Sequence, residues 1–204
     1  MLTRIHSFIT ALLLLAASAA STAALPGPMA TVKAASDSIV GILSDPKVPR
    51  QERWTRIAPV ISENFDFLTM SQSVLSRQWQ SATPVQQQQF VEYFSQSIEG
   101  TYRSRIEAYS GQRIEYKKER IRGERAAVDS VIHTDTTSIP VSYFLRQTRN
   151  GKWKAYDVTI EGVSLVNSYR ETYAAIAKTS GISGVLARVK ARANAVSKKQ
   201  PANK

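Results

Sequence analysis

Apolar residues recur every three or four positions in the first half of the chain, and this spacing predicts a series of helices. One such segment covers residues 29–43 and a second covers residues 49–62. The stretch NFDFLTMSQSVL predicts a short third helix, with Asn64 or Asp66 as its N-cap. The apolar side chains of this third helix are Phe67, Leu68, Val74 and Leu75.

The clearest helix start lies in the stretch ATPVQQQQF. Thr83 is placed as N-cap, Pro84 as the first helical residue and Gln86 as the partner in a capping box. The helix is predicted to reach about Tyr109 and to end at Gly111. Its apolar stripe is rich in aromatic residues and comprises Phe90, Phe94, Ile98, Tyr102, Ile106 and Tyr109.

After Gly111 the apolar residues alternate with polar ones, which predicts strands. Four such runs are separated by the turn-forming stretches RGER, TDTTS and RNGK, and Asn150-Gly151 is the strongest hairpin signal. Two further helices are predicted at residues 164–178 and 183–193. The inward strand positions are Ile114, Tyr116, Val128, Ser130, Ile132, Ile139, Val141, Tyr143, Leu145, Tyr156, Val158 and Ile160.

This order of elements predicts an α+β domain in which helices cover one face of a curved, antiparallel, four-stranded meander. A twisted sheet under a long helix can enclose an apolar pocket. We expect one domain over residues 25–195 and a basic flexible tail over residues 196–204.

Two carboxylates in the stretch YDVTIEGVSL could be an acid/base pair or the end of a strand. In a strand Asp157 and Glu161 lie on one face about 13 Å apart, beyond the roughly 5 to 9.5 Å of paired catalytic carboxyl groups. We therefore predict a strand, a turn at Gly162 and a helix beginning near Ser164. Asp157 is expected to accept hydrogen bonds from a neighbouring strand or from Arg170.

The N-terminus has the pattern of a secretory signal peptide. A basic residue, Arg4, precedes an apolar run of about 13 residues and a series of small residues that suit cleavage. We expect residues 1–24 to be removed, the alternative being an uncleaved membrane anchor. The chain has no cysteine, so neither a lipid-modified cysteine nor a disulfide is available. An exported chain of this composition is typical of the bacterial periplasm.

The formal net charge is +11, and no acidic residue follows Glu171. Such a tail suits anionic lipid headgroups or an acidic protein, or is simply solvated. Export argues against nucleic acid as the partner. With two histidines in the chain, a metal site would depend on His133, and no nucleophile elbow or phosphate loop is present. The residues thus favour a binding protein that needs no cofactor over an enzyme.

Several motifs resemble the MlaC family of periplasmic phospholipid carriers, auxiliary components of a lipid ABC transport system. They are FDFLTMSQSVL, SATPVQQQQFVEYF and above all GKWKAYDVTIEGVSLVNSYR, in order and with matching spacing. The resemblance implies a fold like that of nuclear transport factor 2 (NTF2-like), with acyl chains in an apolar pocket and the headgroup outside. It also implies a shuttle between an outer-membrane lipoprotein complex and an inner-membrane ABC transporter that carries a membrane-anchored lipid-binding ring.

On this interpretation the lipid-binding residues are the inward apolar positions of the predicted elements. Basic residues near the pocket mouth are expected to attract the phosphate or an acidic docking surface, and these are Arg103, Arg105 and Lys117. The predicted lipid-binding set is Phe67, Leu68, Val74, Leu75, Phe90, Phe94, Ile98, Tyr102, Ile106, Val131, Val141, Tyr143, Leu145, Val158, Ile160, Val163, Leu165 and Tyr169.

Three alternatives remain open at this point. A carrier of a hopanoid or another isoprenoid lipid would have the same apolar walls. An NTF2-like enzyme acting on a small hydrophobic substrate would need a polar group deep in the pocket, and His133 is the candidate. A surface adaptor that binds anionic membrane through the basic tail would have a well-filled core.

Overall fold

A computed structural model describes residues 25–198 of the chain. The predicted signal peptide, residues 1–24, and residues 199–204 of the predicted tail lie outside the described part. Helices precede and follow one antiparallel sheet. The elements are α1 Pro28–Ser44, α2 Arg50–Asn64, α3 Phe67–Leu75, α4 Arg77–Ser81, α5 Pro84–Glu107, β1 Arg113–Arg122, β2 Arg125–His133, β3 Ser138–Gln147, β4 Trp153–Ile160, β5 Val163–Ser164 and α6 Leu165–Lys198.

The helix starts follow the capping signals of the sequence. Asp66, rather than Asn64, caps α3, since its carboxylate accepts a hydrogen bond from the Thr69 amide at 2.9 Å. Thr83 and Gln86 form the predicted capping box at the start of α5. These side chains satisfy amide groups that would otherwise have no partner in the first helical turn.

The sheet has five strands in the order β1-β2-β3-β4-β5, where the sequence predicted four. The additional strand, β5, has two residues, and it pairs with the end of β4 through Thr159–Ser164 and Ile160–Val163. Two residues are too few for an alternating pattern to be visible in the sequence. Helices on a meander confirm the predicted α+β class.

A β-bulge changes which side chains of β4 face the core. Phe144 pairs with Asp157 and the next pair is Leu145 with Ala155, so Tyr156 is the extra residue. The prediction that Tyr156 shares an inward face with Val158 is therefore wrong, since the bulge breaks the alternation. The buried positions of β4 are Trp153, Ala155 and Val158.

Three apolar clusters hold these layers together. The largest joins α2, α3, α5 and α6 around Phe90 and Phe94, and a second lies between α1 and the middle of the sheet around Val128. The third consists of Val141, Val158 and Leu165, where β3 and β4 meet the start of α6. This third cluster lies beneath the site described below.

The two predicted C-terminal helices are the two halves of α6. Gly181 separates them, because its backbone (φ 60°, ψ −165°) is not helical and lies in a region that favours glycine. The second half continues to Lys198, so the first three residues of the predicted flexible tail are helical, a correction to the predicted boundary. Within residues 25–198, no helix combines the length and apolar character needed to span a bilayer.

Candidate functional site

A cleft of about 400 Å³ opens where α5, the β4–β5 hairpin and α6 meet. Its more buried lining residues, Ile160, Leu165 and Tyr169, form the floor, and its exposed hydroxyl and charged residues form the rim. The sequence predicted an enclosed apolar pocket, whereas the structure has an open cleft with a polar rim. The cleft is lined by Thr101, Tyr102, Arg105, Ile160, Glu161, Val163, Leu165, Ser168, Tyr169, Thr172 and Arg192.

A larger depression of about 690 Å³ lies at the β3–β4 hairpin. All of its lining residues are polar or charged: Glu63, Arg146, Thr148, Arg149, Asn150, Lys152 and Lys154. Ligand pockets are mostly apolar with a few well-placed polar groups. The smaller cleft is therefore the better candidate for a binding site.

Asp157 fixes the wall of the cleft formed by β5 and α6. Its carboxylate accepts hydrogen bonds from the Ser164 hydroxyl at 2.6 Å and from the Val166 amide at 3.1 Å. The partner on the neighbouring strand is thus as predicted, but the predicted contact with Arg170 is wrong. The Arg170 guanidinium donates instead to the Ser73 carbonyl at 2.8 Å. Asp157 lies on β4 and has a structural role, since it holds the residues at the start of α6.

Glu161 and Gly162 form the turn between β4 and β5, so the predicted turn at Gly162 is confirmed, but the strand ends one residue earlier than predicted. The φ of Glu161 is +52°, and Gly162 follows with φ +81°. The Glu161 amide donates to the Pro140 carbonyl at 2.9 Å, while its exposed carboxylate has no hydrogen-bond or ion-pair partner within residues 25–198. The two carboxylates therefore have separate roles, one internal and one at the cleft rim.

Two arginines at the rim lie against the aromatic rings of the cleft. The Arg105 guanidinium is 5.7 Å from the centroid of the Tyr102 ring, and that of Arg192 is 5.2 Å from the Tyr169 ring. Arg192 also donates to the Thr101 hydroxyl at 3.4 Å. Burial, and secondarily Tyr169, raises the pKa of Tyr102, whereas the two arginines act in the opposite direction. Both guanidinium groups therefore lie at the same end of the cleft, near Tyr102.

Six of the predicted site residues meet in this cleft: Tyr102, Arg105, Ile160, Val163, Leu165 and Tyr169. Others lie in or against the cluster beneath it, namely Val141, Tyr143 and Val158. A third group belongs to the helical core, partly buried in the case of Ile106: Phe67, Val74, Leu75, Phe90, Phe94, Ile98 and Ile106. Leu145 packs beneath α1 in the second cluster.

Three predicted apolar residues do not face the interior, and one of them, Val163 at the cleft, is 59% exposed. Leu68 is 51% exposed on α3, since the inward side of that helix is taken by Phe67 and Met70. Val131 lies on the opposite face of β2 from Ser130, which is buried. Ile132 is the β2 residue that packs on the cluster beneath the cleft.

Two of the three predicted basic residues also lie elsewhere. Arg103 is largely buried and pairs with Glu107 at 2.8 Å, with its guanidinium 5.2 Å from the Trp54 ring. Lys117 lies on β1 and pairs with Glu115. The hydrogen bond from Lys117, together with one from His133, lowers the pKa of Glu115 to about 2. Successive residues of a helix point about 100° apart, so Arg103 lies on a different side of α5 from its neighbour Tyr102.

His133, the candidate for an enzyme, lies at the far end of β2. Its ring nitrogens contact Glu115 at 2.9 Å and Ser138 at 3.0 Å, and it is not among the cleft residues. Within residues 25–198, no group of three histidine, aspartate or glutamate side chains could hold a metal ion. The geometry gives His133 a structural role at a strand end.

The sequence analysis missed five residues of the rim. Thr101 lies four residues before Arg105, Ser168 three after Leu165 and Thr172 three after Tyr169, so helical spacing could have found these three. Glu161 was interpreted only as a turn residue. Arg192 had no local signal, because it enters the cleft through the packing of the second half of α6.

Glu99 lies half-buried on α5, one turn before Arg103. Burial raises the pKa of its carboxyl from 4.5 to about 7. The folded protein thus binds a proton that the unfolded chain has already released, and stability falls as the pH rises from about 4.5 through about 7. We expect Glu99→Gln to be more stable than the wild type at pH 8 and nearly equal at pH 4, in urea unfolding at both pH values. Equal stability at pH 8 would contradict a raised pKa.

Comparisons with known proteins agree with this arrangement. The family model described as MlaC protein matches residues 33–191. The intermembrane phospholipid transport system binding protein MlaC of Haemophilus influenzae is 24% identical over 126 residues, and the match spans 59% of each chain. The solved phospholipid-binding protein of Ralstonia solanacearum, in complex with a phospholipid, is 27% identical with a TM-score of 0.74. That likeness covers 82% of this chain and 97% of the other.

The fold of this chain is similar to that of the solved relative. An open antiparallel sheet of five strands with helices packed on it is consistent with the NTF2-like arrangement expected from the motifs. The family match includes every residue that lines the cleft except Arg192, and it extends over well more than half of the chain. The chain therefore belongs to the MlaC family.

Proposed function

We propose that this protein is a periplasmic phospholipid carrier whose cleft holds the acyl chains near its apolar floor and the headgroup at its polar rim. The observation that carries the proposal is the amphiphilic lining of one cleft, with Ile160 and Leu165 on its floor and the exposed Arg105 and Arg192 on its rim. An amphiphile satisfies both parts, because buried polar groups and exposed hydrocarbon are each unfavourable.

The small volume of the cleft indicates that the cleft opens further when a lipid binds. Its volume lies at the low end of ligand pockets, which measure roughly 300 to 1,000 Å³. Two acyl chains need more room than this. We propose that the half-buried Tyr102 and Ile160 side chains move aside and that the chains then follow Val141 and Val158 beneath them. Side-chain rotamer changes of this kind are common at binding sites.

The energetics fit a shuttle rather than a pump. Burial of a methylene group is worth about 0.8 kcal/mol, so a chain of about sixteen carbons gains over 10 kcal/mol, comparable to its burial in a bilayer. Exchange between the cleft and another apolar site can therefore be near balance. A carrier with equal preference for two sites cannot set a direction. We propose that the direction of transport is set by two partners: an outer-membrane lipoprotein complex and an inner-membrane ABC transporter with its lipid-binding ring.

Phospholipid is the ligand class that the comparisons favour over a hopanoid. The solved relative is described in complex with a phospholipid, and the Haemophilus relative is named for phospholipid transport. The cleft rim of this chain also favours a phospholipid, because a phosphate group binds well to guanidinium groups that have no carboxylate partner. A hydrocarbon polycycle does not. No catalytic step is needed for this function.

The test is mass spectrometry of lipids extracted from the full chain, exported and purified from the periplasm. We expect about one phospholipid per wild-type protein. Ile160→Trp places a larger ring on the cleft floor and should lower the load about tenfold, equivalent to about 1.4 kcal/mol. Val85→Trp is the matched control, because Val85 is 64% exposed on α5 and outside the cleft. A lipid-free wild type, or a normal load in Ile160→Trp, would refute the proposal.

A further inference from the structure

Three charged groups at the cleft rim have no opposite charge close to them. Within residues 25–198, neither Arg105 nor Arg192 pairs with a carboxylate, and Glu161 pairs with no cation. Each nevertheless lines the same cleft. A site with two unpaired cations and one unpaired anion is complementary to a ligand that carries both signs of charge.

The charges come from different elements. Arg105 and Arg192 extend from α5 and α6 and lie over the Tyr102 and Tyr169 rings, which places both guanidinium groups at the helical side of the rim. Glu161 extends from the β4–β5 turn. The positive groups therefore belong to the helices that line the cleft and the negative group to the hairpin.

The backbone at Glu161 is unusual for its residue type. A two-residue hairpin turn with positive φ at both positions favours Asn-Gly or Gly-Gly, and a glutamate in the left-handed region is strained. Backbone strain of this kind is concentrated at functional sites. Glutamate therefore occupies a position where a turn alone would favour asparagine or glycine, and its carboxylate is directed to the rim of a cleft.

We propose that the rim selects phospholipids whose headgroup ends in a primary amine, with Arg105 and Arg192 binding the phosphate and Glu161 binding the ammonium group. This inference rests on the proposed function and adds the headgroup class. Guanidinium groups donate several hydrogen bonds in a plane to phosphate oxygens, and an ammonium group has three donors for a carboxylate.

Two other headgroup classes fit the rim less well. A glycerol headgroup offers the phosphate but leaves the Glu161 carboxylate without a cation and adds no positive charge to the site. A choline headgroup has no N–H donor, and quaternary ammonium is usually held by open aromatic faces. Here the faces of Tyr102 and Tyr169 are already covered by Arg105 and Arg192.

The test is competitive loading of the purified, delipidated protein. Vesicles contain equal amounts of phosphatidylethanolamine and phosphatidylglycerol with identical acyl chains, and bound lipid is quantified by mass spectrometry. We expect the wild type to favour the ethanolamine lipid about fivefold, the size of an exposed ion pair worth up to 1 kcal/mol. Glu161→Gln should bring the ratio near one by lowering the load of the ethanolamine lipid, while the load of the glycerol lipid stays the same. Phosphatidylcholine vesicles should load less than phosphatidylethanolamine vesicles.

Matched variants separate the roles of the rim residues. Arg192→Gln should lower the load of both lipids, since it removes a phosphate ligand. Glu161→Asp should retain part of the preference. Glu171→Gln, which removes an exposed carboxylate of α6 outside the cleft, should change nothing.

The outcomes distinguish this inference from the proposed function. If neither lipid loads, the carrier function itself is wrong. If lipids load but the wild-type ratio is near one, or Glu161→Gln leaves the ratio unchanged, or choline and ethanolamine lipids load equally, the headgroup selection is wrong and the carrier function stands.

Discussion

Phe90→Ala is expected to lower the free energy of unfolding by about 3 to 5 kcal/mol, the largest effect among the single substitutions considered. Phe90 is fully buried, its ring stacks on Phe94 at 5.4 Å, and its edge contacts Tyr173 at 5.5 Å between centroids. Alanine leaves a cavity between α5 and α6 that the close-packed surroundings can fill only in part.

The loss matters for function because α5 and α6 also form the helical side of the cleft. Native domains are stable by about 5 to 15 kcal/mol, so the variant retains a fold but loses a large share of its stability. Urea unfolding monitored by circular dichroism measures the change. Phe90→Leu should cost clearly less, and Val85→Ala on the exposed face of the same helix should cost almost nothing. A loss below about 1 kcal/mol for Phe90→Ala would contradict the assignment of this residue to the core.

Asp157→Ala is expected to lower the free energy of unfolding by about 3 kcal/mol. The carboxylate holds the Ser164 hydroxyl and the Val166 amide, and hydrogen bonds to a charged group are worth about 1.5 to 3 kcal/mol each, part of which water restores in the variant. The negative charge also interacts favourably with the N-terminus of α6. Val166 is buried, so its amide is left without a replacement partner.

Asp157→Asn should fall between the wild type and Asp157→Ala, since the amide oxygen can still accept a hydrogen bond but carries no charge. Thr159→Ala is the matched control, because Thr159 lies on the same strand and its side chain makes no hydrogen bond to residues 25–198. Thermal and urea unfolding of the four proteins gives the ranking. Unchanged stability in Asp157→Asn and Asp157→Ala would show that the carboxylate does not organise the start of α6.

Local signals in the chain predicted the elements well. The capping box of Thr83 and Gln86 is short-range chemistry, and so is the turn at Glu161 and Gly162 that ends β4. The aromatic stripe of α5 also predicted the core, with Phe90, Phe94 and Ile98 buried. Periodicity identified these residues because a helix or strand must turn one side toward the core.

The predictions that proved wrong failed for physical reasons that no local sequence pattern shows. The bulge at Tyr156 depends on pairing with β3, and two-residue β5 exists only as a partner of β4. Leu68 was assigned to the interior because it is apolar, although many apolar side chains of folded proteins remain at the surface. Arg103 was assigned to the mouth because it is basic, but Glu107 and Trp54 hold it on another side of α5.

Local patterns along the chain were enough to predict the α+β class, most helix ends and the apolar stripes, because these depend on residues within a few positions of each other. Its motifs also identified the family. The site, in contrast, exists only in the packed molecule, where β5 pairs with β4 and Arg192 lies beside Thr101 and Tyr169. Charges from separate elements meet only when the core has packed, and packing is a property of the whole chain rather than of any segment.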